Sequence, residues 1–197
     1  MSRRLVSPSR AGGPIFSRAG LQSSVQGTQF WKAVTVDDVN LLESFVSLLE
    51  EKDIAYCIVG GQAVNAYVEP LVSLDLDLVV SVDQLPELEE ALAERYRLER
   101  FPHSINISAT GSDLRIQIQT DPRYFAFVER ATPRSVLGRT LAVASLPDVL
   151  QGKVWAALDP KRRASKRQKD LADIARVVEA HPELRAAVPT ELLDRLV

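Results

Sequence analysis

Five residues with almost no polar atom, Ala55-Tyr56-Cys57-Ile58-Val59, stop abruptly at Gly60-Gly61. The run is too short for a helix and is rich in β-branched and aromatic side chains. It reads as a strand buried on both faces. Such a strand needs cover above and below, which restricts the fold to a sheet flanked by helices.

The flanking pattern agrees. Leu41, Leu42, Phe45, Leu48 and Leu49 recur at helical spacing and predict a helix over 36–52, with Thr35 as cap and Asp37 and Asp38 at its positive end. A short helix over 62–68 follows the glycines and ends before Pro70. Strands are expected over 74–82, 97–101, 104–109 and 114–119, with Gly111-Ser112 turning the last pair, and again over 140–144. Helices are expected over 86–94, 124–129, 146–157 and 162–178. The fold class is therefore α/β (α+β): a mixed β-sheet flanked by helices, with C-terminal helices.

Composition bounds the chemistry. The chain has 197 residues, 46% hydrophobic and 25% charged, which suits one main globular domain. One cysteine excludes an intramolecular disulfide and a cysteine zinc site, and His103 and His181 lie far apart. Any metal would be held by oxygens, which points to Mg2+ or Mn2+. No apolar run approaches the ~18 residues of a membrane span, so no membrane partner and a cytoplasmic location are expected.

Charge is uneven along the chain. Residues 1–36 carry five basic residues and no acid, leaving 19 basic and 26 acidic residues elsewhere. Residues 1–29 read as a disordered basic extension. Their Arg- and Ser-rich, acid-free composition also fits a transit peptide, and a start assigned too far upstream is a third reading. Residues 30–145 form the expected core and 146–197 a helical segment packed on it.

Two motifs carry chemistry. Gly60-Gly61 opens a helix after a buried strand, so either the turn needs a positive φ or the backbone must approach another group, a phosphate at the helix start being one candidate. Asp75-Leu76-Asp77-Leu78 places two carboxylates on one strand face. Alone, that pair is a solvated strand face or a cation site. Together, thirteen residues apart, the motifs outline a triphosphate–magnesium site. A third feature, 161–169, holds six cations in nine residues, either a solvated helix start or a phosphate contact. Lys153 divides in the same way between surface lysine and phosphate ligand. Cys57, Trp31 and Trp155 read as packing residues.

Val59-Gly60-Gly61 followed by Asp75-Leu76-Asp77-Leu78 resembles the signature of the polymerase-β-like nucleotidyltransferase superfamily. Leu146-Pro147-Asp148, Lys153, Ala156-Ala157, Lys169-Asp170 and Asp173 are similar to its AbiEii-type branch, often the toxins of toxin–antitoxin pairs. The resemblance covers roughly 37–180. It implies a nucleotidyltransferase-like fold and metal-dependent transfer of a nucleoside monophosphate from a nucleoside triphosphate to an acceptor hydroxyl. Asp75 and Asp77 would be catalytic and bind the metal. Gly60, Gly61, Ser73, Lys153, Lys169 and Asp170 would bind the nucleotide. An RNA acceptor and an antitoxin protein are the implied partners.

Some positions depart from the family pattern. Gln117 stands where a third carboxylate is usual, Leu71 where an Arg is common, and Ser73 where a Thr is common. An amide is a poor magnesium ligand and no base. Asp113, Asp121 and Asp170 are the sequence candidates to replace that carboxylate. The alternative function is a non-catalytic nucleotide- or RNA-binding regulatory protein on the same fold.

Overall fold

The computed structural model describes residues 36–196. The expectations for Thr35, Trp31 and the 1–29 extension lie outside the described residues. The elements are α1 (Val36–Glu51), β1 (Tyr56–Val59), α2 (Gly60–Asn65), β2 (Asp75–Val80), α3 (Leu85–Ala93), β3 (Arg97–Phe101), β4 (Ser104–Ser108), β5 (Arg115–Gln119), β6 (Thr132–Val136), β7 (Arg139–Val143), α4 (Leu146–Leu158), α5 (Ala164–Ala180) and α6 (Thr190–Leu193). Short 3-10 turns occupy Val82–Gln84, Pro122–Arg130 and Pro182–Ala187.

One seven-stranded sheet runs in the order β3-β4-β5-β2-β1-β7-β6. The apolar strand β1 lies inside it, antiparallel to β2 and parallel to β7. β2 in turn runs parallel to β5. Directly opposed residues share a face, so the register sorts the sheet into two sides. Leu76, Leu78, Ile105, Ile107, Ile116 and Ile118 form the apolar side and are almost wholly buried. Helices α1 and α3 supply Leu41, Phe45, Leu49, Leu88 and Leu92 to the same core. The opposite side carries Asp75, Asp77, Arg115, Gln117 and Asn106, and faces the cleft described below.

The helix expected over 62–68 instead starts at Gly60, because the strand ends directly into it with Val59 as the capping residue. An additional strand, β6, pairs with β7 through the two-residue turn Leu137-Gly138, both at positive φ. Pro133 and three polar neighbours obscure β6 in the sequence. Its place at the sheet edge is where a proline and polar side chains are tolerated. Asp38 does more than favour a helix start. Its buried carboxylate accepts hydrogen bonds from Ser112 Oγ (2.5 Å) and from the backbone N–H groups of Asp113 (2.7 Å) and Leu114 (2.9 Å), which pins the β4–β5 turn to α1.

Candidate active site

The strand β2 places both carboxylates in the cleft, and Gly60 is what lets Asp77 fit there. Gly60 sits at φ +69°, and a Cβ built on it would lie 2.1 Å from Asp77 Oδ2 and 2.9 Å from Asp77 Cβ. The close approach that the first glycine permits is therefore to a protein carboxylate. Gly61 is different. A Cβ there meets nothing nearer than Ser73 Oγ at 3.9 Å and Lys169 Nζ at 4.0 Å. Its backbone borders the cleft, at the start of a helix whose first N–H groups have no side-chain cap.

The loop returning to β2 is held by α2. Buried Gln62 donates to the Ser73 carbonyl at 2.6 Å. Asn65 donates to the Leu71 carbonyl at 2.7 Å and accepts from the Leu71 N–H at 3.0 Å. Arg176 from α5 adds bonds to Asn65 Oδ1 at 3.0 Å and to the Glu69 carbonyl. Ser73 is thereby fixed at the rim, its hydroxyl accepting from the Asp75 N–H at 3.4 Å.

The facing wall is cationic. Lys153 projects from α4 and is buried, 3.2 Å from Asp170 Oδ1 and 2.6 Å from Asp173 Oδ2. Arg162 bonds the other side of Asp170, and Arg176 bonds Asp173 at 2.9 Å. Burial alone would lower the Lys153 pKa, but the carboxylates of Asp173 and Asp170, with Asp77 beyond, reverse that and raise it. Lys153 is therefore a cation set in a carboxylate cradle. Asp77 shifts upward: burial pushes its carboxyl up against the pull of Lys153, Asp75 adds to the rise, and Lys169 and Lys166 oppose it.

Of the basic stretch, Arg162, Arg163, Lys166 and Lys169 line the cleft, with Lys166 Nζ 3.8 Å from Asp75 Oδ2. Arg167 turns back to the Arg162 carbonyl at 3.1 Å. The open cleft measures about 420 Å3. A second pocket of about 100 Å3 shares Asp77 and Lys153 with the cleft and is lined further by Tyr124, Phe127 and Gly152. Trp155 packs behind it, stacked on Phe127 at 5.8 Å, and Cys57 lies buried in the core.

The structure thus brings Asp75, Asp77, Gly60, Gly61, Ser73, Lys153, Lys169 and Asp170 together around one cavity system. Asp170 is buried and bonds both Lys153 and Arg162. Gln117 pairs in register with Asp77, on the neighbouring strand and the same face. Asp121 is spent on Arg123, which bonds both its oxygens, and Asp113 lies in the turn held by Asp38; neither lines the cleft. Among the described residues no cluster of three or more His, Cys, Asp or Glu side chains is suited to a metal. Asp75 and Asp77 supply two carboxylates on one strand face, which is the number magnesium takes from a protein when substrate phosphates complete its shell. Asn106 lines the cleft as well, and Asp173 holds Lys153 without lining it. Asp173 was visible only as part of a helical motif, and Asn106 gave no signal in the sequence.

The family model of the nucleotidyl transferase AbiEii toxin of type IV toxin–antitoxin systems matches residues 58–196, and the chain belongs to this family. Curated protein sequences give no match. Among solved structures, the chain is similar to the antibiotic-resistance factor ANT(2'')-Ia in complex with adenylyl-2''-tobramycin, with 14% identity and a TM-score of 0.58 over 82% of this chain and 100% of that one. It is also similar to an antigenic nucleotidyltransferase-like protein from Paracoccidioides brasiliensis, with 18% identity and a TM-score of 0.51 over 83% and 87% of the two chains. These likenesses show the nucleotidyltransferase-like fold. Among the described residues no helix is long and apolar enough to cross a membrane.

Proposed function

We propose that this chain transfers a nucleoside monophosphate from a nucleoside triphosphate to an acceptor hydroxyl. One observation carries the reading: Asp75 and Asp77 face Lys153, Arg162, Lys166 and Lys169 across a single cleft. Carboxylates on one wall and four cations near the other suit a cation–polyanion complex bound between them.

Lys166 and Lys169 would hold the β- and γ-phosphates beside the Gly61 backbone and Ser73. Lys153, fixed by Asp170 and Asp173, would offset charge near the α-phosphate. Asp75 and Asp77 would hold Mg2+ or Mn2+, which when bound supplies Lewis-acid polarisation of the α-phosphoryl group. The acceptor oxygen forms a bond to the α-phosphorus, the bond from that phosphorus to the bridging oxygen breaks, pyrophosphate leaves with the electron pair, and the acceptor proton passes to water. Gln117 can orient the acceptor by a hydrogen bond but cannot take that proton. An RNA acceptor, a cognate antitoxin, a toxin role and a cytoplasmic site of action complete the reading.

Calorimetry with magnesium and a non-hydrolysable nucleoside triphosphate tests the site. The wild type should bind, and a variant carrying both Asp75→Ala and Asp77→Ala should not. Equal binding by the two proteins would contradict the assignment. The register of Gln117 with Asp77 favours one second reading, a protein that binds the nucleotide and turns it over slowly or not at all.

A further inference from the structure

The Ser73 side of the cleft and the Lys153 side come from distant parts of the chain. Arg176 joins them, reaching from α5 to α2 and to the loop that leads into β2. One of its terminal nitrogens donates to Asp173 Oδ1 at 2.9 Å. The other donates to Asn65 Oδ1 at 3.0 Å, 111 residues away in sequence, and to the Glu69 carbonyl. Bonds continue in both directions. Asp173 Oδ2 is 2.6 Å from Lys153 Nζ. Asn65 donates to Gln62 Oε1 at 3.5 Å, and Gln62 donates to the Ser73 carbonyl at 2.6 Å. A continuous polar chain thus runs from Lys153 to the backbone of Ser73.

Arg176 lines neither the cleft nor the second pocket, so its effect on either passes through its partners. The middle of the loop it holds has little apolar anchorage, since Leu71 and Val72 are 55% and 62% exposed. Polar bonds therefore set the loop's position. Those of Gln62 and Asn65 tie it to α2, and those of Arg176 tie it across to α5. A guanidinium suits this task because its planar fork serves several acceptors at once, whereas a lysine ammonium is a single point charge. Charge contributes too. Lys153, Arg162 and Arg176 set against Asp170 and Asp173 leave one net positive charge, and without Arg176 the sum is zero.

We propose that Arg176 is a positioning residue for the transfer: it holds the Ser73 loop and the Lys153 cradle at one spacing, so that a triphosphate is gripped from both sides at once. The inference rests on the transfer reading above. Arg176 itself touches no substrate, and its contribution is the geometry of groups that do.

The test is titration calorimetry of the full chain with magnesium and a non-hydrolysable triphosphate, at a temperature where scanning calorimetry shows each variant folded. Arg176→Met should lower Tm and weaken binding about tenfold, the size expected for one lost charge-assisted hydrogen bond. Arg176→Lys keeps a cation against Asp173 and should recover much of the Tm. With the fork gone, its binding should stay weakened several-fold. Ser73→Ala should weaken binding in the wild type and add little in Arg176→Lys, where the loop is already released. Amide hydrogen exchange over residues 66–74 should be faster in Arg176→Lys than in the wild type, a readout that stands even if Arg176→Met does not fold. Wild-type affinity in folded Arg176→Lys would reduce Arg176 to a structural cation and overturn the proposal. Strictly additive losses for Arg176→Lys and Ser73→Ala, or unchanged exchange over the loop, would overturn it as well. Each of these results leaves the transfer reading standing. Failure of the wild type to bind triphosphate would overturn the transfer reading itself, and the positioning role with it.

Discussion

Gly60 and Gly61 are adjacent, yet their replacement by alanine should produce opposite phenotypes. Gly60 sits at φ +69°, which costs an L residue about 1–2 kcal/mol. The new methyl would also overlap Asp77. A rotamer change cannot clear it, because Asp77 Cβ is itself 2.9 Å from the built position. Strand β2 or the turn must shift, adding about 1–3 kcal/mol of overpacking. The total of roughly 2–5 kcal/mol corresponds to a fall in Tm on the order of 10 °C for a domain of this size. Gly61→Ala meets only ordinary contacts at 3.9 and 4.0 Å and should leave stability within about 0.5 kcal/mol. On the proposed placement of the triphosphate, its methyl would block the approach of a phosphate to the backbone, removing a charge-assisted hydrogen bond of about 1.5–3 kcal/mol and weakening triphosphate binding roughly 10- to 100-fold. Differential scanning calorimetry and titration calorimetry on both variants separate the effects. A Gly60→Ala protein with an unchanged Tm would refute the packing of Asp77 on Gly60. A Gly61→Ala protein with wild-type affinity would refute the placement of the phosphates.

Other perturbations probe the remaining groups. Lys153→Met leaves Asp170 with Arg162 and Asp173 with Arg176 but removes their shared buried cation, so a loss of about 3 kcal/mol is expected in denaturant titration; a neutral result would contradict the cradle. Asp77 is held above its ordinary pKa by burial, so the folded chain keeps that proton to higher pH than the unfolded chain does. Its contribution to stability is full below the unfolded value near ~3.9 and is lost as pH rises through the folded value, which leaves a penalty at neutral pH. Metal-free Asp77→Asn should therefore have a higher Tm than the wild type at pH 7, with the gain vanishing in acid; a gain independent of pH would contradict the assignment. Gln117→Asp should raise transfer, since a missing general base typically costs about 10²–10⁴ in rate. Robust wild-type transfer that falls in this variant would place the proton acceptor elsewhere.

The sequence was legible wherever local pattern and tertiary role coincide. The apolar run of β1, the alternation of β2 around its two aspartates and the helical stripe of α1 each announce both an element and its buried face. Gln117 was also legible as a cleft position, because the pattern Leu114-Arg115-Ile116-Gln117 resembles the family context of a third carboxylate, and the structure pairs Gln117 with Asp77. What escaped depends on partners distant in the chain. No local signal in 104–108 shows that Asn106 will stand beside Gln117, or that Asp38 will cap a turn some 75 residues away. Lys153 reads as a surface lysine or a phosphate ligand, and neither reading shows its burial, which Asp170 and Asp173 from the next helix make tolerable. The glycine pair reads as one feature, although its two members serve a carboxylate and the cleft respectively.

The central claim is that the Asp75–Asp77 cleft performs nucleotidyl transfer. Each of the four nucleoside triphosphates, labelled at the α-phosphate, would be incubated with the protein, magnesium and total RNA, and label in the RNA would be measured together with released pyrophosphate. Label and pyrophosphate should appear in equal amounts with the wild type, slowly but measurably, and neither with a folded variant carrying Asp75→Ala and Asp77→Ala. Incorporation that persists in that variant, or none from the wild type and none from Gln117→Asp with any nucleotide, would contradict it.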